Sequence, residues 1–248
     1  MTLQQADIDY FNLGQHENPR YWERLGGRPD FKDAFVIDVG CGHGSLCVDI
    51  AQSGARRVVG LDLNSRLIDF ANENLRCNYP QFADMMAFRY QDLQEAPDSE
   101  VDYFVSKDTF EHIIEPALVL AEMKKRLRPG GRVYAGFGPL WNSPFGDHRR
   151  TRFPIPWMHA VLSERFLVNW HNRHDPKQVN SIHDLGLNGL PLREYQRIFR
   201  SCGMNIVFWK INASKSPVSQ LFSLIGRVPF LTEYCAHNIY CVLEKREP

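Results

Sequence analysis

Residues able to do chemistry sit at the ends of short apolar runs. The run Ala34–Val39 carries Asp38 and leads into Gly40-Cys41-Gly42-His43-Gly44. Arg57–Leu61 is followed by Asp62, and Met86–Tyr90 by Gln91-Asp92-Leu93. Val101–Ser106 is followed by Lys107-Asp108-Thr109-Phe110-Glu111-His112. Glycines after a strand let the backbone turn tightly and approach a ligand with no Cβ in the way. The helix amino terminus behind them favours a carboxylate or phosphate. Strand-end aspartates accept hydrogen bonds from hydroxyl and amino groups, or simply close an Asx turn.

A second group is rich in histidine. Histidine titrates near neutrality, which suits it to take a proton from an alcohol or phenol. His112 is one candidate base. His148, in Ser143-Pro144-Phe145-Gly146-Asp147-His148, is the other, the plainer alternative being a loop histidine paired with Asp147. Glu111 is a candidate substrate contact or a first-turn acid complementing a helix dipole. Arg149, beside Arg150 and Arg152, is a candidate clamp for a substrate anion or else part of a solvated basic turn. Trp141, Phe145 and Trp157 are candidate walls of an apolar pocket, or ordinary packing. His171-x-x-His174 has the i, i+3 spacing of a metal pair but no cysteine or acidic partner set, so no metal site is expected.

Strands and helices alternate around these residues. Residues 3–25 predict two short helices, the second starting at Asn18-Pro19. From residue 34 onward, strands over 34–39, 57–61, 86–90, 101–106 and 132–137 alternate with helices over 45–53 and 116–127 and with one capped by Asn64 or Ser65, whose Leu67, Ile68, Ala71 and Leu75 share a face. Pro129-Gly130-Gly131 predicts a turn. The alternation breaks over 138–190, where one helix is expected from Trp157 to about Phe166. It resumes with a helix over 191–202 and a strand over 204–211. A second insertion covers 212–236, and a last strand covers 237–243. Val218, Leu221, Phe222 and Ile225 in that insertion have helical spacing, read as a short amphipathic helix packed on its own domain, or else as a lid helix, a dimer face or a lipid contact.

The order predicts an α/β fold, a doubly wound and mostly parallel sheet in one domain. An N-terminal helical segment (1–32) precedes a ligand-binding core (33–137). The insertions 138–190 and 212–236 are expected to cap the sheet's carboxyl edge. Lys+Arg and Asp+Glu both number 29, so there is no basic excess to neutralise phosphates, and a nucleic-acid partner is disfavoured. The six cysteines form no C-x-x-C pair and read as free thiols in a reducing compartment. No apolar run is long enough to span a bilayer, and residues 1–13 do not resemble a signal peptide. A cytoplasmic protein is expected.

A dinucleotide fingerprint G-x-G-x-x-G starting at Gly40 fails at Ser45. Asp38-x-Gly40-x-Gly42-x-Gly44 instead resembles the first motif of class I S-adenosylmethionine (SAM) dependent methyltransferases. Gly60-Leu61-Asp62, Gln91-Asp92-Leu93, Asp108–His112 and Leu127-Arg128-Pro129-Gly130-Gly131 resemble that family's later motifs, in the correct order. The resemblance implies seven strands in the order 3-2-1-4-5-7-6, the last antiparallel, with an inserted cap after strand five. It implies SAM as cofactor, held by Asp38, Gly40, Cys41, Gly42, Gly44, Asp62, Leu63, Asp92, Leu93, Lys107 and Asp108. Asp62 would meet the ribose hydroxyls and Asp92 the adenine amino group. It further implies methyl transfer to a small-molecule acceptor near Asp108–His112. A hydroxyl acceptor is favoured because an oxygen nucleophile gains from a base. N- or C-methylation, an RNA or protein substrate, an NAD(P)-dependent oxidoreductase and a non-catalytic module are the alternatives.

Overall fold

The computed structural model describes residues 3–96, 100–215 and 217–247. Seven strands form one sheet: β1 (Phe35–Val39), β2 (Arg57–Asp62), β3 (Met86–Tyr90), β4 (Val101–Lys107), β5 (Leu127–Phe137), β6 (Asn205–Ile211) and β7 (Ile239–Glu244). Their order is β3-β2-β1-β4-β5-β7-β6. Strand β7 pairs antiparallel with both β5 and β6, and the other neighbours are parallel. The expected order and the reversed last strand are both present.

Strand β1 is buried along its whole length, as a central parallel strand must be with both faces covered. Val36 contributes to a core that includes Tyr21, Trp22, Ile50 and Phe70. Phe35 and Ile37 point the other way, into a core built on Phe104, Phe110, Leu120, Phe137 and Phe199. Helices α2 (Ser45–Gln52) and α3 (Ser65–Asn78) cross over between β1, β2 and β3, and α4 (Pro116–Arg126) joins β4 to β5.

Three local expectations differ from the structure. Residues 5–24 form a single helix, α1 (Gln5–Arg24), with Pro19 inside it. A proline there removes one helical hydrogen bond. Tertiary contacts on both sides of it offset the loss: Gln15 Nε2 and Asn18 Nδ2 donate to the Ser45 carbonyl, Trp22 Nε1 donates to Asp49, and the Tyr21 hydroxyl lies 3.1 Å from the Ser106 and Tyr134 carbonyls. Residues 128–131 join β5 rather than preceding it. Val101 pairs with Leu127 and Tyr103 with Arg132, so the extra residues form an irregularity in the ladder. The helix expected over 157–166 is two elements, α5 (Met158–Val161) and α6 (Glu164–His174). Ser163 separates them because its side chain caps α6 by accepting from Phe166 N.

Helix α7 (Leu192–Ser201) precedes β6, and α8 (Pro217–Ile225) and α9 (Pro229–Cys235) fill the second insertion. The Val218 side chain lies outside the described residues. Leu221, Leu224 and Phe230 are exposed there. No helix among the described residues is long and apolar enough to cross a membrane. All six cysteines are free.

Gly44 sits at the turn into α2 with φ +80°, and a Cβ there would lie 2.5 Å from the Phe88 ring. The left-handed backbone costs about 1–2 kcal/mol for a non-glycine residue, and overpacking adds about 1–3 kcal/mol. Gly44→Ala should therefore destabilise the chain by about 2–5 kcal/mol, read as a lower midpoint in chemical denaturation. A midpoint equal to wild type would show that the turn and Phe88 relax without cost.

Candidate functional site

Parallel pairing brings the carboxyl ends of β1, β2 and β4 to one edge of the sheet. At that edge a cleft of about 1110 Å³ opens. It is lined by Asp38, Gly40, Cys41, Gly42, Asp62, Leu63, Asp92, Leu93, Lys107, Asp108 and His112. All of these were singled out from sequence. The structure thus brings together residues from four strand ends spread over 75 positions of the chain (112 − 38 + 1).

Asp62 ties two loops together. Its Oδ2 accepts from Gly42 N and its Oδ1 from Asn64 N, each at 2.8 Å. Gly40 N and Cys41 N both donate to the Leu61 carbonyl, so the glycine loop is pinned to β2 as well. Gly40 has φ +78°, and a Cβ there would lie 2.2 Å from Thr109 Oγ1. Only glycine lets the loop after β1 pass this close to the loop after β4. Gly44 is absent from the cleft lining; it packs on Phe88 and turns the chain.

Asp38 is 1% exposed, and its Oδ2 accepts from the Cys47 thiol at 3.3 Å. Its Oδ1 has no partner among the described residues. Burial pushes the Asp38 carboxyl up to about 7, the Asp62 charge adding to the rise and Cys47 opposing it. A buried, unpartnered carboxylate oxygen on a cleft wall suits a ligand that brings an amino or ammonium group. Asp92 Oδ1 accepts from Gln94 N, which fixes the carboxyl at the end of β3.

Lys107 Nζ donates to Asn18 Oδ1, and burial lowers its pKa. Asp108 has φ +52°, and burial raises its carboxyl while the Lys107 ammonium opposes the rise. A non-glycine residue held in this conformation stores strain of about 1–3 kcal/mol, which commonly marks a site.

His112 and His148 lie side by side, ring centroids 4.9 Å apart. His112 Nδ1 is 2.6 Å from the Gly186 carbonyl, and Arg150 Nη1 donates to the Leu185 and Gly186 carbonyls. Burial first and Arg150 second lower the His112 pKa. Burial, with His112 and Arg150 adding, brings His148 down to about 4. Glu111 is buried behind them, its Oε1 accepting from Gly138 N at 3.0 Å. Burial and then the Asp108 charge push it up to about 8.

The insertions serve differently from expectation. Of residues 138–190 only Arg150 lines the cleft, and of residues 212–236 none does. Trp141, Phe145, Arg149 and Trp157 all lie off it. Trp141 packs edge-on against His159, Arg149 stacks over Phe145, and Trp157 Nε1 donates to the Tyr234 carbonyl. These four side chains hold the insertions together. The first insertion walls the far end of the cleft from behind, Asn188 Nδ2 donating to the Phe110 and Ile113 carbonyls. His171 Nδ1 and Nε2 lie 2.9 Å from the Arg150 and Lys177 carbonyls, so the ring braces α6 against the rest of the insertion.

The cover over the glycine loop comes instead from α1. Tyr10, Gly14, Glu17, Tyr21 and Arg24 line the cleft, together with Asp7 and Tyr240. Sequence reasoning missed them, although their alternating spacing of four and three is a helical stripe that a helix read as continuous would have shown. Asp7 locks α1 down: His43 Nε2 donates to it at 2.9 Å and Arg66 Nη1 at 2.8 Å.

A model of the methyltransferase domain matches residues 30–136. A ubiquinone biosynthesis O-methyltransferase of Neisseria meningitidis is 28% identical over 163 residues, 65% of this chain and 63% of that relative's length. A tRNA U34 carboxymethyltransferase of Cellvibrio japonicus is 33% identical over 116 residues, 45% of this chain and 35% of its own. The solved structure of a SAM-dependent methyltransferase from Mesorhizobium loti superposes with a TM-score of 0.57 at 19% identity, covering 92% of this chain and 97% of that one, a likeness of fold. Residues 30–136, which carry β1 to β4 and most of β5, are thus similar to a methyltransferase domain, and the chain shares the fold of the solved methyltransferase.

Proposed function

We propose that the chain binds SAM in this cleft and transfers its methyl group to a hydroxyl oxygen of a small or medium organic acceptor. The observation that carries the reading is one cleft lined by acids from three successive strand ends and by His112. Its volume of about 1110 Å³ exceeds the roughly 300–1,000 Å³ of ordinary ligand pockets. That leaves room for an acceptor beside the cofactor.

The donor sets fit SAM. Asp38 Oδ1 is free to take a hydrogen from the amino group of its amino-acid end. Asp62, whose oxygens already receive two backbone amides, has lone pairs left for ribose hydroxyls. Asp92, Leu93 and Leu63 flank the position expected for the adenine. When bound, SAM supplies a methyl group already activated on a sulfonium. The chain's own work is then to orient an acceptor in line with that methyl, and proximity of this kind is worth about 7–11 kcal/mol at best. His112 faces the cleft at the acceptor end, with His148 and Glu111 behind it, and we place the loss of the hydroxyl proton there. Of residues 138–190, Arg150 reaches this end, its Nη2 3.5 Å from His112 Nε2.

The choice of oxygen leans on the Neisseria relative, an O-methyltransferase of ubiquinone biosynthesis. A nucleic-acid acceptor is the second reading, favoured by the tRNA-acting relative. Binding to RNA that weakens steeply with salt would support it.

Three outcomes test the proposal. Calorimetric titration should show SAM and S-adenosylhomocysteine (SAH) binding with no NAD binding; NAD binding alone would overturn the proposal. Asp62→Ala should weaken SAM binding roughly 10-fold or more, because a charged hydrogen-bond partner worth about 1.5–3 kcal/mol is lost. Affinity unchanged in this variant would remove Asp62 from the cofactor site. The third outcome concerns pH. Asp38 is raised to about 7 in the free protein, so below that pH it must lose a proton to meet the cofactor's ammonium group. SAM affinity should therefore rise as pH goes from 6 to 8, by up to about 10-fold per unit below the pKa, and level off above it. Asp38→Asn should flatten this profile. A profile with the same slope in the variant would assign the titration to another group.

A further inference from the structure

At the acceptor end of the cleft, Glu111, His112 and His148 converge. One donor atom from each lies within 4.8 Å of the others. Two of the available donors are orphans: Glu111 Oε2 and His148 Nε2 are buried with no hydrogen-bond partner among the described residues. Glu111 itself is 4% exposed. A buried polar atom left unpaired costs about 1–3 kcal/mol, and more when charged, so two such atoms on residues of one cluster need an explanation.

The remaining atoms of the cluster are oriented by backbone groups. A carbonyl only accepts, so His112 Nδ1, 2.6 Å from the Gly186 carbonyl, carries the hydrogen and leaves the ring's lone pair on Nε2. Glu111 Oε1 is held by Gly138 N, which leaves Oε2 to point elsewhere. Ligating histidines and carboxylates are fixed in the same way by outer hydrogen bonds. His148 is held at φ +53°, a conformation that costs energy and that the insertion maintains.

We propose that Glu111, His112 and His148 bind one divalent transition-metal cation. Two imidazoles and one carboxylate suit zinc, iron(II) or manganese(II) better than calcium or magnesium, which prefer all-oxygen shells. Ligands at ~2.0–2.2 Å from a tetrahedral centre stand ~3.4 Å apart. The cluster therefore closes by side-chain rotation of about 1 Å as the ion enters. Arg150 Nη2, 3.5 Å from His112 Nε2, is the opposing charge and must give way. Its Nη1 is tied to the Leu185 and Gly186 carbonyls independently of the imidazole.

Three protein ligands leave a coordination position open, and His112 is the member that lines the cleft, so the opening faces the acceptor end. This use of the ion rests on the proposed methyl transfer to a hydroxyl; the binding of the ion does not. A cation polarises a hydroxyl and eases loss of its proton. The O–H bond breaks, the proton goes to water, the oxygen pair forms the new bond to the methyl carbon, and the C–S bond breaks with its pair on sulfur. Nothing is oxidised or reduced.

The test uses the full chain, stripped with chelator and titrated with zinc alone and with manganese alone, with cobalt(II) absorption as a spectroscopic report on the ligand set. One ion per chain is expected. Glu111→Gln and His148→Asn should each weaken uptake roughly 10- to 100-fold or more. Asparagine tolerates positive φ, and the His148 Nε2 that this change removes makes no hydrogen bond among the described residues, so this variant reads the site even where Glu111→Gln fails to fold. His174→Ala, on the exposed end of α6, should leave uptake unchanged. Absence of stoichiometric uptake by the wild type, or uptake indifferent to both cluster substitutions, overturns the proposal. SAH titrated into the stripped protein separates the two readings: SAH binding without metal uptake removes the ion alone, and metal uptake without SAH binding removes the cofactor reading alone.

Discussion

Adjacent parallel strands must end at the same edge, and everything at this site depends on that. With β1 buried along its length between β2 and β4, the loops after all three emerge side by side. Their backbones then crowd each other. Gly40 lies so close to Thr109 that no side chain fits between them, and the amides of Gly40 and Cys41 share the Leu61 carbonyl. The Asp62 carboxylate completes the arrangement by holding Gly42 N and Asn64 N at once. A carboxylate accepting two backbone amides both satisfies the loops and sets where a ligand can approach.

The N-terminal helix turns that edge into a cleft. One side of α1 is fixed to α2 by hydrogen bonds from Gln15, Asn18 and Trp22, and near its start Asp7 meets His43 and Arg66. Another stripe of the same helix, from Tyr10 to Arg24, is left facing the void above the glycine loop. His43, between the last two glycines of the loop, has a structural task, joining the glycine loop to the covering helix.

Polar groups in the far half of the cleft are handled differently. Near the glycine loop most carboxylate oxygens have amide or thiol partners, with Asp38 Oδ1 the exception. Glu111, after β4, and His148, in the insertion, each keep one orphaned atom, and the insertion holds Phe145, His148, Arg149, Arg152 and Trp157 at positive φ. Asn188 and Arg150 brace that insertion against the 110–113 segment, so its irregular backbone is fixed in place by hydrogen bonds rather than by regular structure.

Sequence alone determined the sheet, because burial on both faces demands continuous apolar strands, and the glycines and acids at their ends mark the turns. Asp38, Asp62, Asp92, Asp108 and His112 were legible on that basis, since a strand end has only one place to be. Tertiary structure decided the rest. Pro19 reads as a helix start, and only the contacts of Tyr21 and Trp22 beyond it keep α1 continuous. Trp141, Phe145, Arg149 and Trp157 have the chemistry of a pocket wall yet pack among themselves and their neighbours, away from the cleft. A strand or helix repeats its buried face with a fixed period, so composition reveals it. The insertion has no period, and which of its side chains meet a void is set by left-handed turns and long-range hydrogen bonds that leave no pattern in the order of residues.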